Sequence, residues 1–305
     1  MSSGLVTSEV GLALSLLPQG SGSAGGLTAA ALKENDRDEV LEFLSVRPIH
    51  TVCMASYIRD HGVVSALNRG LFYGCRNHAG VLTGVALIGH ATLFETQSSA
   101  ALMAFAKLNH QYAASHLVRG EQKLIERFWA HYSELGTTPR LACRELLFEQ
   151  TQPFDADGEV PDLRLATLDD LETISEINAG MLLSECGVNP LTTDPIGFQS
   201  RIIRRIRNKR VYVWERDKRI VFKADIFAET PQMIYLEGIF VHPLERGKGH
   251  GQRCMAQLGR FLLKRSSAVC LLVNEQRKTL CRFYRGIGFQ LRGNYATIYL
   301  DRRVK

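Results

Sequence analysis

Three glycines spaced two residues apart, Gly247, Gly249 and Gly251, follow an apolar run and precede an amphipathic one. Without a Cβ, glycine lets several backbone N–H groups converge on one ligand. The first turn of a helix adds unpaired N–H donors and a partial positive charge. Together these features suit a phosphate or diphosphate, and Arg246 and Lys248 add cationic side chains. A Walker loop needs G-x-x-x-x-G-K-[ST], an ending that His250 and Gln252 do not supply. A Rossmann turn needs a ribose-binding acid about 20 residues further on, and residues 266–274 contain none. A plain strand-to-helix turn with permissive glycines is the alternative the loop alone leaves open.

The elements that must hold this loop are legible around it. Ile234 to Val241 reads as a strand, and Pro243 follows it. From about Gly249 to Lys264, Cys254, Leu258, Phe261 and Leu262 keep the i, i+4, i+7, i+8 spacing of one helix face. Ala268 to Val273 reads as a buried strand and Lys278 to Arg285 as a short helix, with Phe289 and Thr297 to Leu300 closing a sheet. Upstream, Leu163 to Leu165 is a short strand. Asp169 or Asp170 then starts a helix with Leu171, Ile174 and Ile177 on one face. A second helix covers about Ile196 to Asn208. Val211 to Trp214 and Ile220 to Ala224 flank a polar turn and read as a hairpin. The predicted order is β-α-α-β-β-β-α-β-α-β-β.

Residues 151–161 hold two prolines, a glycine and three acidic side chains, which makes them a linker between domains. Before them, Asp36 to Leu44, Thr51 to Asp60, Ser98 to Asn109 and Gln122 to Leu135 read as helices. Gly70 to Cys75 and Val81 to Ile88 read as a hairpin, His116 to Val118 and Leu141 to Phe148 as strands. The division expected is therefore a flexible extension over 1–26, an α/β domain over 27–150, the linker, and a second domain over 162–305.

The pattern V-x-P-x-x-R-G-x-G-x-G, from Val241 to Gly251, resembles the acetyl-CoA loop of the GCN5-related N-acetyltransferases, the GNAT superfamily. The likeness continues in Leu272-Val273-Asn274 and in Phe283-Tyr284-Arg285-Gly286-Ile287-Gly288-Phe289. It covers roughly residues 162–305, and the N-terminal half resembles the extra domain that precedes some bacterial acetyltransferases. The fold this implies is α/β (α+β): a mixed, mostly antiparallel sheet flanked by helices, preceded by a smaller domain that reads as a degenerate GNAT-like repeat. The function implied is acetyl-CoA-dependent transfer of an acetyl group to an amine, directly in a ternary complex. The alternative is a catalytically inactive acyl-CoA-binding regulatory protein.

The resemblance also implies residue roles. The backbones of Ile239, Phe240 and Val241 hold the pantetheine arm like an added strand, and one N–H among them polarises the thioester carbonyl. N–H groups of Arg246, Gly247, Lys248, Gly249, His250 and Gly251 hold the diphosphate. Asn274 bonds to the cosubstrate, fixes the splay of the strands, or caps a strand end. Where the family often carries Asn and then Ala in the next helix, Arg277 and Leu280 stand here. Glu237 occupies a place where the family puts a base, with His242 in reserve, and Tyr284 that of the proton donor to the thiolate. A free glutamate near 4.3 is a weak base, and burial beside Leu236 and Ile239 would raise it.

Bulk properties set outer bounds. A net charge of +6 is modest for 305 residues, which disfavours nucleic acid as the partner. The basic run Arg201 to Arg210 reads as a solvated helix face. Seven cysteines without a C-x-x-C pair read as reduced thiols of a cytoplasmic protein. The histidines show no metal-ligand spacing, so no metal is expected. No membrane span or secretory signal is expected either, and the partners expected are an amine acceptor, small molecule or protein, and acetyl-CoA.

Overall fold

The structure is a computed structural model that describes residues 22–24, 27–112, 114–156 and 158–301. The extension expected over 1–26 lies outside the described residues, 22–24 apart. The chain divides into two compact units, Met1–Glu145 with Asn294–Lys305, and Leu146–Gly293.

The first unit runs β1 (Gly22–Ala24), β2 (Leu27–Ala31), α1 (Arg37–Ser45), α2 (Pro48–His61), β3 (Gly70–Arg76), β4 (Leu82–Gly89), β5 (Ala91–Thr96), α3 (Ser99–Gln111), β6 (Leu117–Glu121), α4 (Gln122–Ser133) and the start of β7 (Pro139–Gln150). Strands β1 to β5 pair antiparallel in sequence order, and β5 then pairs parallel with β6. One face of this sheet packs Val40, Leu44, Met54 and Ile58 of α1 and α2. The other packs Leu102, Phe105, Ile125 and Phe128 of α3 and α4.

The second unit repeats the order with β8 (Arg164–Leu165), α5 (Leu171–Cys186), the single turn α6 (Pro190–Thr193), α7 (Pro195–Arg207), β9 (Val211–Arg216), β10 (Arg219–Glu229), β11 (Ile234–Val241), α8 (His250–Leu262), β12 (Val269–Asn274), α9 (Lys278–Gly286) and the start of β13 (Gln290–Leu300). Strands β8 to β11 are antiparallel neighbours, and β11 pairs parallel with β12. The β9–β10 turn places Asp217 and Lys218 both at positive φ, which matches its twist to that of a two-strand ribbon. Ile174, Phe198, Ile202 and Ile206 cover one sheet face, and Cys254, Leu258, Cys281 and Tyr284 the other.

The last strand of each half does not stay with its own helices. Residues of β13 from Asn294 on belong to the first unit, where Tyr295 to Tyr299 pair antiparallel with Glu121 to Leu117. Residues of β7 from Leu146 on belong to the second, beside β12, and put Phe148 into its core. The two closing strands read separately at Phe289 and Thr297 are one. Segment 151–161 has neither helix nor strand among its described residues. Val160, near its end, is held by a side chain: Gln257 accepts the Val160 N–H at 2.7 Å and donates to its carbonyl at 2.9 Å.

Candidate functional site

The pairing of β11 with β10 slips by one residue on the way into the glycine loop. Asp225 faces Glu237 and Lys223 faces Phe240, so Gly238 and Ile239 together oppose Ala224. Such a bulge leaves one residue outside the ladder and switches the face of the side chains that follow. Leu236 lies in the core beneath α8 and α9, but past the bulge it is Ile239 and Val241 that pack there. Gly238 sits in the left-handed region at φ +59°. The parallel ladder to β12 ends just before the bulge, at Leu236–Leu271. From Glu237 onward, that side of β11 faces no strand among the described residues.

Beyond Val241 the chain makes a short turn, Pro243–Glu245, whose first residue is preceded by His242; the His242 ring accepts the Leu244 N–H at 3.3 Å. Arg246 Nε donates to Val241 O at 3.0 Å and ties the loop back to the strand end. The Arg246 N–H is turned to Pro243 O at 3.4 Å. Lys248 pairs with Glu245 at 3.1 Å and holds that carboxyl below the usual carboxylate range. Gly247 and Gly249 have φ of +75° and +78°, and no atom would meet a Cβ at either, so the space before them is open. Gly251 is glycine for another reason, since a Cβ there would lie 3.1 Å from Val241 and 3.5 Å from Phe283.

Helix α8 starts without a side-chain cap; Gly249 is its N-cap and the first helical bond runs from Arg253 N–H to Gly249 O. The N–H groups of Gly247 to Gln252 find no acceptor among the described residues. Six adjacent donors at the positive end of a 13-residue helix are of the kind that can seat an anion. His250 supports this seat in a way the sequence did not disclose. It is buried with its ring edge-on to Trp214, centroids 5.0 Å apart, and its Nδ1 lies 2.7 Å from an Arg253 guanidinium nitrogen. A ring nitrogen that accepts from arginine leaves the proton on Nε2, which lies 3.3 Å from Glu245.

The other expected residues are distributed around this loop. Glu237 is half-buried, accepts from the Tyr235 hydroxyl at 3.1 Å and shares the face of α5 and α7 with Asp225. Phe240, opposite Lys223, has its ring edge-on to His242. Asn274 ends β12, where its Oδ1 accepts the Gln276 N–H at 2.9 Å and so serves the following turn. Tyr284 is buried on α9 against Phe148, Phe283 and Phe289, and burial pushes its phenol well above the ordinary range. Its neighbour Phe283 is the side chain that meets Gly251. What sequence reading missed is the Lys223–Asp225 pair under the bulge. Two charges at i, i+2 in an apolar β run put both on one face, and that alternation was the available signal.

Known proteins share the fold. Residues 207–291 match the acetyltransferase (GNAT) domain. A Drosophila protein of known structure has a TM-score of 0.68 at 12% identity, over 90% of this chain and 99% of its own. A GCN5-related N-acetyltransferase from Sphaerobacter thermophilus reaches 0.56 at 14% identity, covering 92% and 97%. A tandem GNAT protein from the clavulanic acid biosynthesis pathway also reaches 0.56, at 11% identity, covering 92% and 99%. No curated protein matches the chain in sequence. The chain is thus a two-domain protein of GNAT fold, with its GNAT-matching segment in the second unit. A fold of this class supports acyl-CoA-dependent acyl transfer in general.

Proposed function

We propose that the unit Leu146–Gly293 transfers the acetyl group of acetyl-CoA to an amine, directly, within a ternary complex. The observation that carries this reading is the run of N–H groups from Gly247 to Gln252, uncapped and facing open space, one turn after a bulged strand whose outer side is unpaired. The run fits a diphosphate, and Ile239 to Val241 fit a pantetheine arm laid alongside as a further strand. Asn274, at the end of the neighbouring strand, shapes the turn that follows it by accepting the Gln276 N–H.

An N–H freed by the bulge polarises the thioester carbonyl. Glu237, on the α5–α7 face, takes a proton from the acceptor amine, directly or through one water. As the N–C bond forms and the C–S bond breaks, Tyr284 gives its proton to the departing thiolate. A phenol raised by burial stays protonated across the neutral range and is restored from solvent after release. No cysteine or serine is asked to carry the acyl group.

An acceptor screen tests this: the full chain with acetyl-CoA and a panel of small amines and lysine peptides, monitored for free thiol. Amine-dependent thiol release supports transfer. Tight acetyl-CoA binding with no release for any amine would leave a regulatory acyl-CoA binder instead.

A further inference from the structure

Beneath the bulge lies a charge cluster that the proposed chemistry does not use. Lys223 is fully buried, and its ammonium lies 2.6 Å from Asp225, which is buried as well. Asn178 of α5 donates to the other Asp225 oxygen at 3.4 Å, and Arg205 of α7 reaches it at 3.3 Å. A Cβ added to Gly238 would lie 2.8 Å from the Lys223 nitrogen and 3.0 Å from Asp225. The bulge therefore rests on the ion pair. Glu237 and Phe240, the partners of Asp225 and Lys223 across the ladder, bracket it.

Burying an ammonium and a carboxylate costs several kcal/mol per ion before their attraction is counted, and apolar replacements are often as stable. A pair retained under a strand distortion is thus better explained by what it holds in place than by stability. The distortion is the step that frees an N–H from the ladder and carries Ile239 and Val241 onto the other face.

We infer that Lys223 and Asp225 are positioning residues for acyl transfer: their buried ion pair fixes the Gly238–Ile239 bulge, and through it the N–H that meets the thioester carbonyl. The inference rests on the proposed acetyl-CoA site and concerns only its acyl end. The diphosphate seat at Gly247 to Gln252 is built independently of the pair. The charged and polar groups around the pair are Arg205 from α7, Asn178 from α5, and Glu237 with Tyr235 from β11. Burial lowers the Lys223 ammonium while the Asp225 and Glu237 carboxylates favour its charge, so the cluster is electrically continuous with the proposed base.

The test compares the affinities of coenzyme A and acetyl-CoA for the full chain by calorimetry. The variants are Lys223→Met, Asp225→Asn and Gly238→Ala, each checked for a cooperative thermal melt. One hydrogen bond to the thioester carbonyl gives acetyl-CoA an advantage of about three- to tenfold in the parent protein. Lys223→Met and Asp225→Asn remove that advantage and leave coenzyme A affinity within about twofold, because only the acyl contact has moved. Gly238→Ala does the same by displacing the bulge from the other side, and carries the test if the charge variants fail to fold. An unchanged acetyl advantage, or an equal fall for both ligands, overturns the inference. A parent protein that binds neither ligand overturns the acetyl-CoA reading itself, which is a different result.

Discussion

The two units are built to one order of elements, and four of their differences lie on the path proposed for an acyl-CoA in the second. In the first unit β4 and β5 pair without a slip from Leu87–Leu93 to Gly84–Thr96, whereas β10 and β11 are bulged. Strand β5 passes into α3 within two residues, and Ser98 caps that helix by accepting the Ala101 N–H. Strand β11 passes into α8 through eight residues that leave the helix uncapped. The gap where β5 and β6 part is stapled, since Arg47 pairs with Glu95 of β5 at 2.9 Å and with Glu121 of β6 at 2.7 Å. The gap between β11 and β12 has no such bridge among the described residues. Finally, the seventh residue of α9 is Tyr284 and that of α4 is Phe128. The lesson is that the same turn of the fold can be closed or left open: a serine hydroxyl meets a backbone donor at the start of α3 and an arginine bridges the two strands beside it, and neither device recurs at α8 among the described residues.

The largest effect is expected from cutting the chain at the wrong place. A fragment of residues 162–305 lacks Leu146 to Gln150 and with them Phe148, whose loss alone is worth about 3–5 kcal/mol. It also carries the β13 residues that belong to the other unit. Circular dichroism should find it without a cooperative melt; a fragment of 162–305 that melts like the full chain would refute the exchange of closing strands.

Next in size is the staple. Burial raises the Glu95 carboxyl above its ordinary value, against the pull of Arg47. A carboxyl raised on folding adds stability below its unfolded value and loses that contribution as pH rises through the folded one. Arg47→Ala removes the opposing cation and widens this window upward. The variant should lose about 3 kcal/mol at neutral pH and recover much of it near pH 4; a loss independent of pH would show that Glu95 is not the group involved.

On the binding side, Gly249→Val forces a β-branched residue to φ +78°, a strain of about 1–2 kcal/mol, and fills the open space before the helix. Acetyl-CoA affinity should fall at least about tenfold, with stability lowered by no more than the strain. Tyr284→Phe gives the second unit the residue of the first. It should slow turnover by about a hundredfold and leave acetyl-CoA affinity unchanged; an unaltered kcat removes Tyr284 from the mechanism. The smallest effect is at the counterpart cap: Ser98→Ala should cost about 1 kcal/mol of stability and nothing in acetyl-CoA affinity.

Local pattern made the second unit readable. The strand Ile234 to Val241, the helix after the glycines and the helix at Lys278 each carry their own periodicity and boundary signals, and each lies within two residues of its expected place. The glycine loop between strand and helix was legible because glycine spacing is a local property. Three things were not. Strand β5 follows β4 after the single residue His90, so no turn composition separates them. The bulge at Gly238 exists only in the register of β11 against β10, which no single run of residues reveals. The crossing of β7 and β13 is a choice of partner over more than 110 residues, and the patterns of both strands would have served their own halves as well. Lys223 and Asp225 were hidden for a related reason: their meaning depends on what leans on them from the neighbouring strand.

The central claim is that the N–H groups from Gly247 to Gln252 are held open for a diphosphate. Amide chemical shifts of the nitrogen-15-labelled full chain, followed as acetyl-CoA is added, report on those groups one by one. The account predicts large, saturable shifts at Gly247, Gly249, His250 and Gly251, with Ser99 to Ala101 at the start of α3 unmoved. Shifts at α3, or none at the three glycines with acetyl-CoA bound elsewhere, would contradict it.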